Sequence, residues 1–268
     1  MTYRTLIYEV DSGVARLTLN RPEVRNGLNR EMTDELLAAA RRAAQDGSVR
    51  ALLLTGVGSV FCAGGDLGEV NTDPDPERRA EQGRAAERFM RESVTPLMSC
   101  LYQLDKPLVC AVNGPVVGGG IGLALVADIV VAAESAKFMT KFTPMMALTP
   151  DLGYTWMLPR LIGRARTLGL SMLDEPLSAR QAESWGLIWR CYPDGELASA
   201  AFGIARKLAE GPAFALASLK SVLRQSVGND FDQQLDVEMA SSARCCASED
   251  YAEAVAAFVG KRKPAFRR

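Results

Sequence analysis

Four glycines crowd an apolar run at Gly118, Gly119, Gly120 and Gly122 of "NGPVVGGGIGLALVADIVVA". Glycine loses the most backbone freedom on folding, so a cluster in a strand-to-helix segment implies that bare backbone is needed there. A second glycine turn, "FCAGGDL" at residues 61–67, also follows an apolar run. Neither fits the GxGxxG spacing of a dinucleotide turn, because Leu123 and Leu125 stand where a third glycine would fall. No GxxxxGK[ST] phosphate loop occurs. Two such turns can present two free backbone N–H groups to one oxygen, and Gly119, at the start of a helix, adds the positive end of the helix dipole. That suits an oxygen that gains negative charge, such as a thioester carbonyl becoming an enolate. The alternative is that the glycines only let a helix pack tightly on a strand.

The chain contains no histidine. A Ser-His-Asp or Cys-His mechanism is therefore excluded within it, as is a His-rich zinc site. General acid–base work falls to a carboxylate, Lys, Tyr, Cys or water. In "LTPDLGYTW", Asp151 follows a proline and precedes a helical run, and by spacing alone it reads as a helix cap. None of the six cysteines sits in a CxxC pair, which reads as reduced thiols in a cytoplasmic protein. The net charge of −1 gives no basic balance for nucleic acid or an anionic membrane. The opening "MTYRTLIYEV" does not read as a secretory leader, and no apolar run is long enough to span a membrane.

The elements that must hold these residues are legible from periodicity. Residues 3–9 and 14–19 alternate like half-buried strands around a turn at Asp11-Ser12-Gly13. "NRPEVRNGLN" is a loop, and a helix capped by Asn29 follows, with Met32, Leu36 and Ala40 on one face. "VRALLLTG", "SVFCAGGDL", "KPLVCAVNG" and "ADIVVAA" read as short buried strands. Strands alternating with helices predict an α/β fold. Residues 72–92 are a polar Pro/Asp loop and charged helix, either covering a site or forming a solvated face. Beyond about residue 160 the pattern is mostly helical. "LSARQAESWGLI" reads as a capped helix ending at Gly186; residues 198–209, 212–226 and 248–259 read as amphipathic helices, with a basic tail "GKRKPAFRR".

"NRPEVRNGLN", "VFCAGGDL", "KPLVCAVNGPVVGGGIGLALVADIVVAAESAKF", "LPRLIG", "LSARQAESWGLI" and "FVGKRKPAF" together resemble the crotonase superfamily, the enoyl-CoA hydratases and isomerases, over nearly the whole chain. The resemblance implies a spiral of ββα units over residues 1–197, followed by a helical region, 198–268, that trimerises, often as a dimer of trimers. It implies an acyl-CoA substrate, with coenzyme A part of that substrate and no separate cofactor or metal. It assigns the two oxyanion donors to the N–H groups of Gly65 and Gly119. Ala63, Asp66 and Leu67 match the adenine pocket, Arg25 the basic position near the CoA phosphates, and Phe258 and Lys261 the C-terminal positions that reach a CoA, often on a neighbouring subunit.

The chain departs from the hydratase pattern. The two water-handling glutamates of a hydratase would stand at Gly122 and Phe142, and neither residue can hold or deprotonate water. Asp151 matches the P-D-x-G-x-[ST]-W pattern of the isomerases, nearest to those of ring-opened or epoxidised phenylacetyl-CoA and of 3-enoyl-CoA. The resemblance thus implies a double-bond isomerase with one aspartate as acid and base. Burial among Leu, Met, Phe and Trp should raise the pKa of that aspartate. "KFTPMMALTPD" is one residue longer than usual, and Leu152 and Tyr154 replace small residues, so Tyr154 is a second proton-donor candidate beside a pocket floor at Gly122 and Phe142. Met145, Met146, Leu148 and Trp156 are candidates to shape the acyl pocket. Competing readings are a hydratase with atypical residues, a non-catalytic acyl-CoA binder, and a scaffold or RNA-binding protein.

Overall fold

The computed structural model describes residues 2–69 and 75–266. Strands β1 (Leu6–Asp11) and β2 (Val14–Leu19) form an antiparallel hairpin in which Asp11 pairs with Val14. Only Ser12 and Gly13 lie between them, both with positive φ, the two-residue turn whose twist matches that of the strands. The side-chain oxygen of Asn29 accepts the Met32 N–H at 3.0 Å and starts α1 (Arg30–Gln45), which buries Met32, Leu36 and Ala40 as its periodicity predicts. β3 (Ala51–Gly56) runs parallel to β2.

Residues 72–74 lie outside the described residues. From Pro76 to Phe89 the chain forms α2, which buries none of its side chains and carries Glu81–Arg84 and Glu81–Arg88 ion pairs. It is a solvated helix. A π-turn at Met90–Val94 leads into α3 (Thr95–Gln103), which packs on α1.

The next segments wind. β4 (Leu108–Val112) enters the main sheet, β5 (Val116–Val117) starts a second sheet, and α4 (Gly119–Leu125) follows. β6 (Ile129–Ala133) returns beside β4, and β7 (Lys137–Met139) beside β5. Each turn of the chain therefore adds one strand to each of two sheets, which is the spiral of ββα units expected. α5 (Thr143–Met146), α6 (Tyr154–Leu173, broken at Gly163), β8 (Leu177–Ser178), α7 (Ala179–Ser184) and β9 (Arg190–Tyr192) complete it. The main sheet runs β1-β2-β3-β4-β6-β9 and the small one β5-β7-β8. The small-sheet strands, two or three residues each, escape a periodicity reading.

"SVFCAGGDL" is a correction. It holds two isolated bridges, Cys62 to Val116 and Gly65 to Leu28, rather than a strand. The Asn26 side chain takes the carbonyls of Val57 and Val60, Phe61 N–H donates to Pro115, and the Gly64–Gly65 turn ends any run. The segment still occupies the place of a small-sheet strand for the first turn of the spiral.

α8 (Leu197–Ala209) lays Leu197, Ala201, Ala205 and Ala209 on the main sheet. α9 (Ala213–Ser226), α10 (Phe231–Cys246) and α11 (Glu249–Val259) follow. The sequence reading has no helix at α10, although Asp230 and Gln233 form a reciprocal capping box. Its apolar stripe of Phe231, Leu235 and Met239 recurs at helical spacing and is exposed.

Candidate active site

The two glycine turns meet. Val117 N–H donates to Cys62 O at 2.9 Å, and Gly118 N–H to Met139 O at 2.9 Å, so sheet pairing fixes both ends. Gly64, at φ +86°, sits so close to the second turn that a β-carbon there would stand 2.9 Å from Val117 O and 3.5 Å from Gly119 N. Only glycine fits. Around Gly65, Leu28 N–H donates to Gly64 O and Asp66 N–H to Leu28 O. Among the described residues neither the Gly65 nor the Gly119 N–H has an acceptor. Gly119 is buried and opens α4, while Gly65 is exposed with open space beside it.

Asp151 reaches this place from the segment between α5 and α6. Leu152 (φ +48°) and Gly153 (φ +74°) turn the chain left-handedly into α6, whose cap position is Gly153. The Asp151 side chain therefore does not cap the helix; only its backbone carbonyl accepts from Tyr154 N–H. Its Oδ1 is buried without a hydrogen-bond partner and lies 3.4 Å from the point where a Gly119 β-carbon would be. Burial pushes its pKa up to about 6, with no opposing cation to lower it.

Tyr154 is placed differently from a proton donor. Its side chain is buried, its hydroxyl pairs with Ser171 at 2.9 Å, and its ring meets Phe142 edge-on at 5.8 Å. Phe142 packs behind Gly118. Both rings support the turn from the core. Gly122 is buried beneath Leu152 and has no room for any side chain: an added β-carbon would stand 2.4 Å from Leu152 O.

A cavity of about 380 Å³ gathers Arg25, Ala63, Gly65, Asp66 and Leu67 with Glu23, Val24 and Gly27. Sequence reasoning missed Arg21, which donates to Gly27 O at 2.7 Å and pairs with Asp66 at 2.9 Å. It ties the 22–27 loop to the glycine turn. The Asp66 carboxyl is held below its usual range, first by the Gly68 N–H and then by Arg21. Phe258 and Lys261 stand exposed at the end of α11 and do not line this cavity.

On the other side of Gly153 lies a cavity of about 200 Å³ lined by Met98, Ser99, Tyr102, Val126, Trp156 and Met157. Tyr102 and Trp156 meet edge-on there at 5.5 Å. Met145, Met146 and Leu148 are exposed and do not line it. No group of His, Cys, Asp and Glu suited to a metal ion occurs among the described residues, and no described helix is long and apolar enough to cross a membrane.

Residues 9–268 match the enoyl-CoA hydratase/isomerase family. The 1,2-epoxyphenylacetyl-CoA isomerase of Escherichia coli K12 is 44% identical over 97% of both chains. The 2,3-dehydroadipyl-CoA hydratase of the same organism is 34% identical over 98% of both. A crystal structure from Mycobacterium abscessus, described as an enoyl-CoA hydratase/isomerase, superposes with a TM-score of 0.90 at 37% identity, covering 98% of this chain and 99% of that one.

Proposed function

We propose, from the premise that this chain belongs to the enoyl-CoA hydratase/isomerase family, that it moves a double bond, or isomerises a ring-derived acyl group, of an acyl-CoA thioester with one carboxylate as both acid and base. The observation that carries this reading is the lone, buried, unpartnered oxygen of Asp151 beside Gly119.

In the simplest case the substrate is a 3-enoyl thioester. The Asp151 carboxylate takes a proton from the α-carbon. The C–H electron pair forms the double bond between the carbonyl carbon and the α-carbon of a dienolate, and the carbonyl π pair moves onto oxygen. The Gly65 and Gly119 N–H groups receive that oxyanion. The Asp151 carboxyl exchanges its proton with solvent, and collapse of the dienolate, with a proton from that carboxyl added at the γ-carbon, re-forms the carbonyl and leaves a 2-enoyl thioester. No water is consumed and one carboxylate suffices. A base with a pKa of about 6 is mostly ionised near neutral pH yet strong enough to accept a carbon proton as charge moves to oxygen. Each oxyanion donor is worth about 10²–10³ in rate.

The 380 Å³ cavity, with Arg25 beside the exposed turn, suits the nucleotide part of coenzyme A. The aromatic-walled cavity past Gly153 suits the acyl group, in keeping with the ring-derived substrate named for the Escherichia coli relative. The exposed Phe231, Leu235, Met239 and Phe258 favour a homotrimer, or a dimer of trimers, in which the C-terminal helices are covered and Phe258 and Lys261 approach a neighbour's coenzyme A.

The test is deuterium uptake. A 3-enoyl-CoA and an aryl-acetyl-CoA are incubated in D₂O with the wild type and with Asp151→Asn. Exchange at carbon by the wild type, lost in the variant, is the expected result. Equal exchange by both removes Asp151 from the role.

A further inference from the structure

Gly119 and Gly122 are three residues apart on α4 and share a face. Two consecutive residues from outside both sheets cover that face. A β-carbon on Gly119 would meet Leu152 Cδ1 at 3.2 Å and Asp151 Oδ1 at 3.4 Å; one on Gly122 would meet Leu152 O at 2.4 Å and Leu152 Cβ at 2.7 Å. Leu152 thus lies over both glycines, and the carboxylate over Gly119. Leu152 is buried and holds φ +48°, a conformation that a residue with a β-carbon rarely adopts. A left-handed leucine persists only where its surroundings over-determine it, and such outliers gather at functional sites.

We propose that Leu152 sets the reaction specificity of this site: its side chain and carbonyl fill the face of α4 next to Gly119, where a water would have to stand to add to the bound enoyl group, and its left-handed turn holds the Asp151 carboxylate over Gly119. The proposal rests on the isomerase reading above. A 2-enoyl thioester formed in the site has two fates. It can leave, or water can add: the water oxygen bonds to the β-carbon as the α–β π pair shifts to form an enolate, the water proton passes to the carboxylate, and the carboxyl returns a proton to the α-carbon to give a 3-hydroxyacyl thioester. Asp151 could serve both as base. Only the second needs room for water, and an apolar side chain in van der Waals contact leaves none. Leu152 is a positioning residue, since it acts through what it excludes and what it aims.

Leu152→Gly accepts the left-handed backbone and removes the cover, while Leu152→Met keeps the volume. Each is incubated with trans-3-hexenoyl-CoA in H₂¹⁸O and, separately, in D₂O, with an enzyme-free blank, and products are read by mass spectrometry. The wild type and Leu152→Met should exchange deuterium and form no ¹⁸O-labelled product. Leu152→Gly should form ¹⁸O-labelled 3-hydroxyhexanoyl-CoA at least about tenfold above the enzyme-free blank. A Leu152→Gly protein that exchanges but stays free of ¹⁸O overturns the proposal, as does ¹⁸O uptake by the wild type. Wild type that fails to exchange at all overturns the isomerase reading instead. Where Leu152→Gly does not fold, Leu152→Ala in the same assay decides, with ¹⁸O uptake supporting the proposal and its absence overturning it.

Discussion

The unpartnered Oδ1 of Asp151 stands 3.4 Å from the point where Gly119 would carry a β-carbon. A buried carboxylate oxygen thus stands against Gly119, whose N–H has no acceptor among the described residues, and the two come from parts of the chain that share no strand.

Asp151→Asn keeps the shape of the side chain and removes the base. Deuterium exchange at substrate carbon should fall by at least about 10²-fold, the usual weight of a positioned general base. Affinity for free coenzyme A, measured by calorimetry, should stay the same, because the residues lining the 380 Å³ cavity do not include Asp151.

The exchange rate should follow the ionisation of Asp151. It is expected to rise with pH through a midpoint of about 6 and level off above it. A midpoint near 4, the ordinary carboxylate value, would mean that water reaches the group in solution.

The same shift predicts a stability effect of defined sign. A carboxyl whose folded pKa lies above its unfolded value stabilises the fold when protonated. That stability is present below about pH 4 and is lost as the pH rises through about 6. At pH 8 Asp151→Asn should therefore resist urea better than the wild type, by up to roughly 2–3 kcal/mol, and the difference should vanish near pH 4. A variant both inactive and more stable at pH 8 is the signature of a strained functional group.

Gly122→Ala forces a β-carbon against the backbone of Leu152, which cannot swing aside as a side-chain tip could. A loss of about 1–3 kcal/mol in urea unfolding is expected, together with reduced exchange as Leu152 and Asp151 are displaced. Gly122→Glu should likewise fail to create a hydratase, checked by following 2-enoyl-CoA absorbance.

Arg21→Ala leaves Asp66 without its cation and frees the loop at Gly27. The pair is largely shielded from solvent, so a loss of about 1–3 kcal/mol in thermal unfolding is expected. KM for the CoA thioester should rise more than kcat falls, since the loop borders the cavity and not the carboxylate.

Glycine spacing and strand alternation are local properties, and they led to both turns and to an α/β fold; the ββα spiral and the role of Asp151 followed from the family resemblance, since spacing alone makes Asp151 a helix cap. What escaped depended on contacts distant in sequence. Leucine at position 152 gives no sign of its left-handed φ, because the strain is imposed by the glycine face it covers. Tyr154 looks reactive by type, yet Ser171, a further part of the same helix, claims its hydroxyl. Arg21 reads as one more loop cation until Asp66 is folded against it. α10 carries signals that the sequence reading leaves unused: Phe231, Leu235 and Met239 recur at helical spacing behind the Asp230 cap.

The segment from residue 147 to residue 153 belongs to neither sheet, whereas the two glycine turns are hydrogen-bonded to each other, the first also to the loop at Arg25 and Leu28 and the second also to β7. On the proposed reading, the electrophilic half of the site is written in main chain whose close approach only glycine allows. The basic half hangs on a replaceable loop. On that reading, a change of base is a change of loop and leaves the main-chain donors in place.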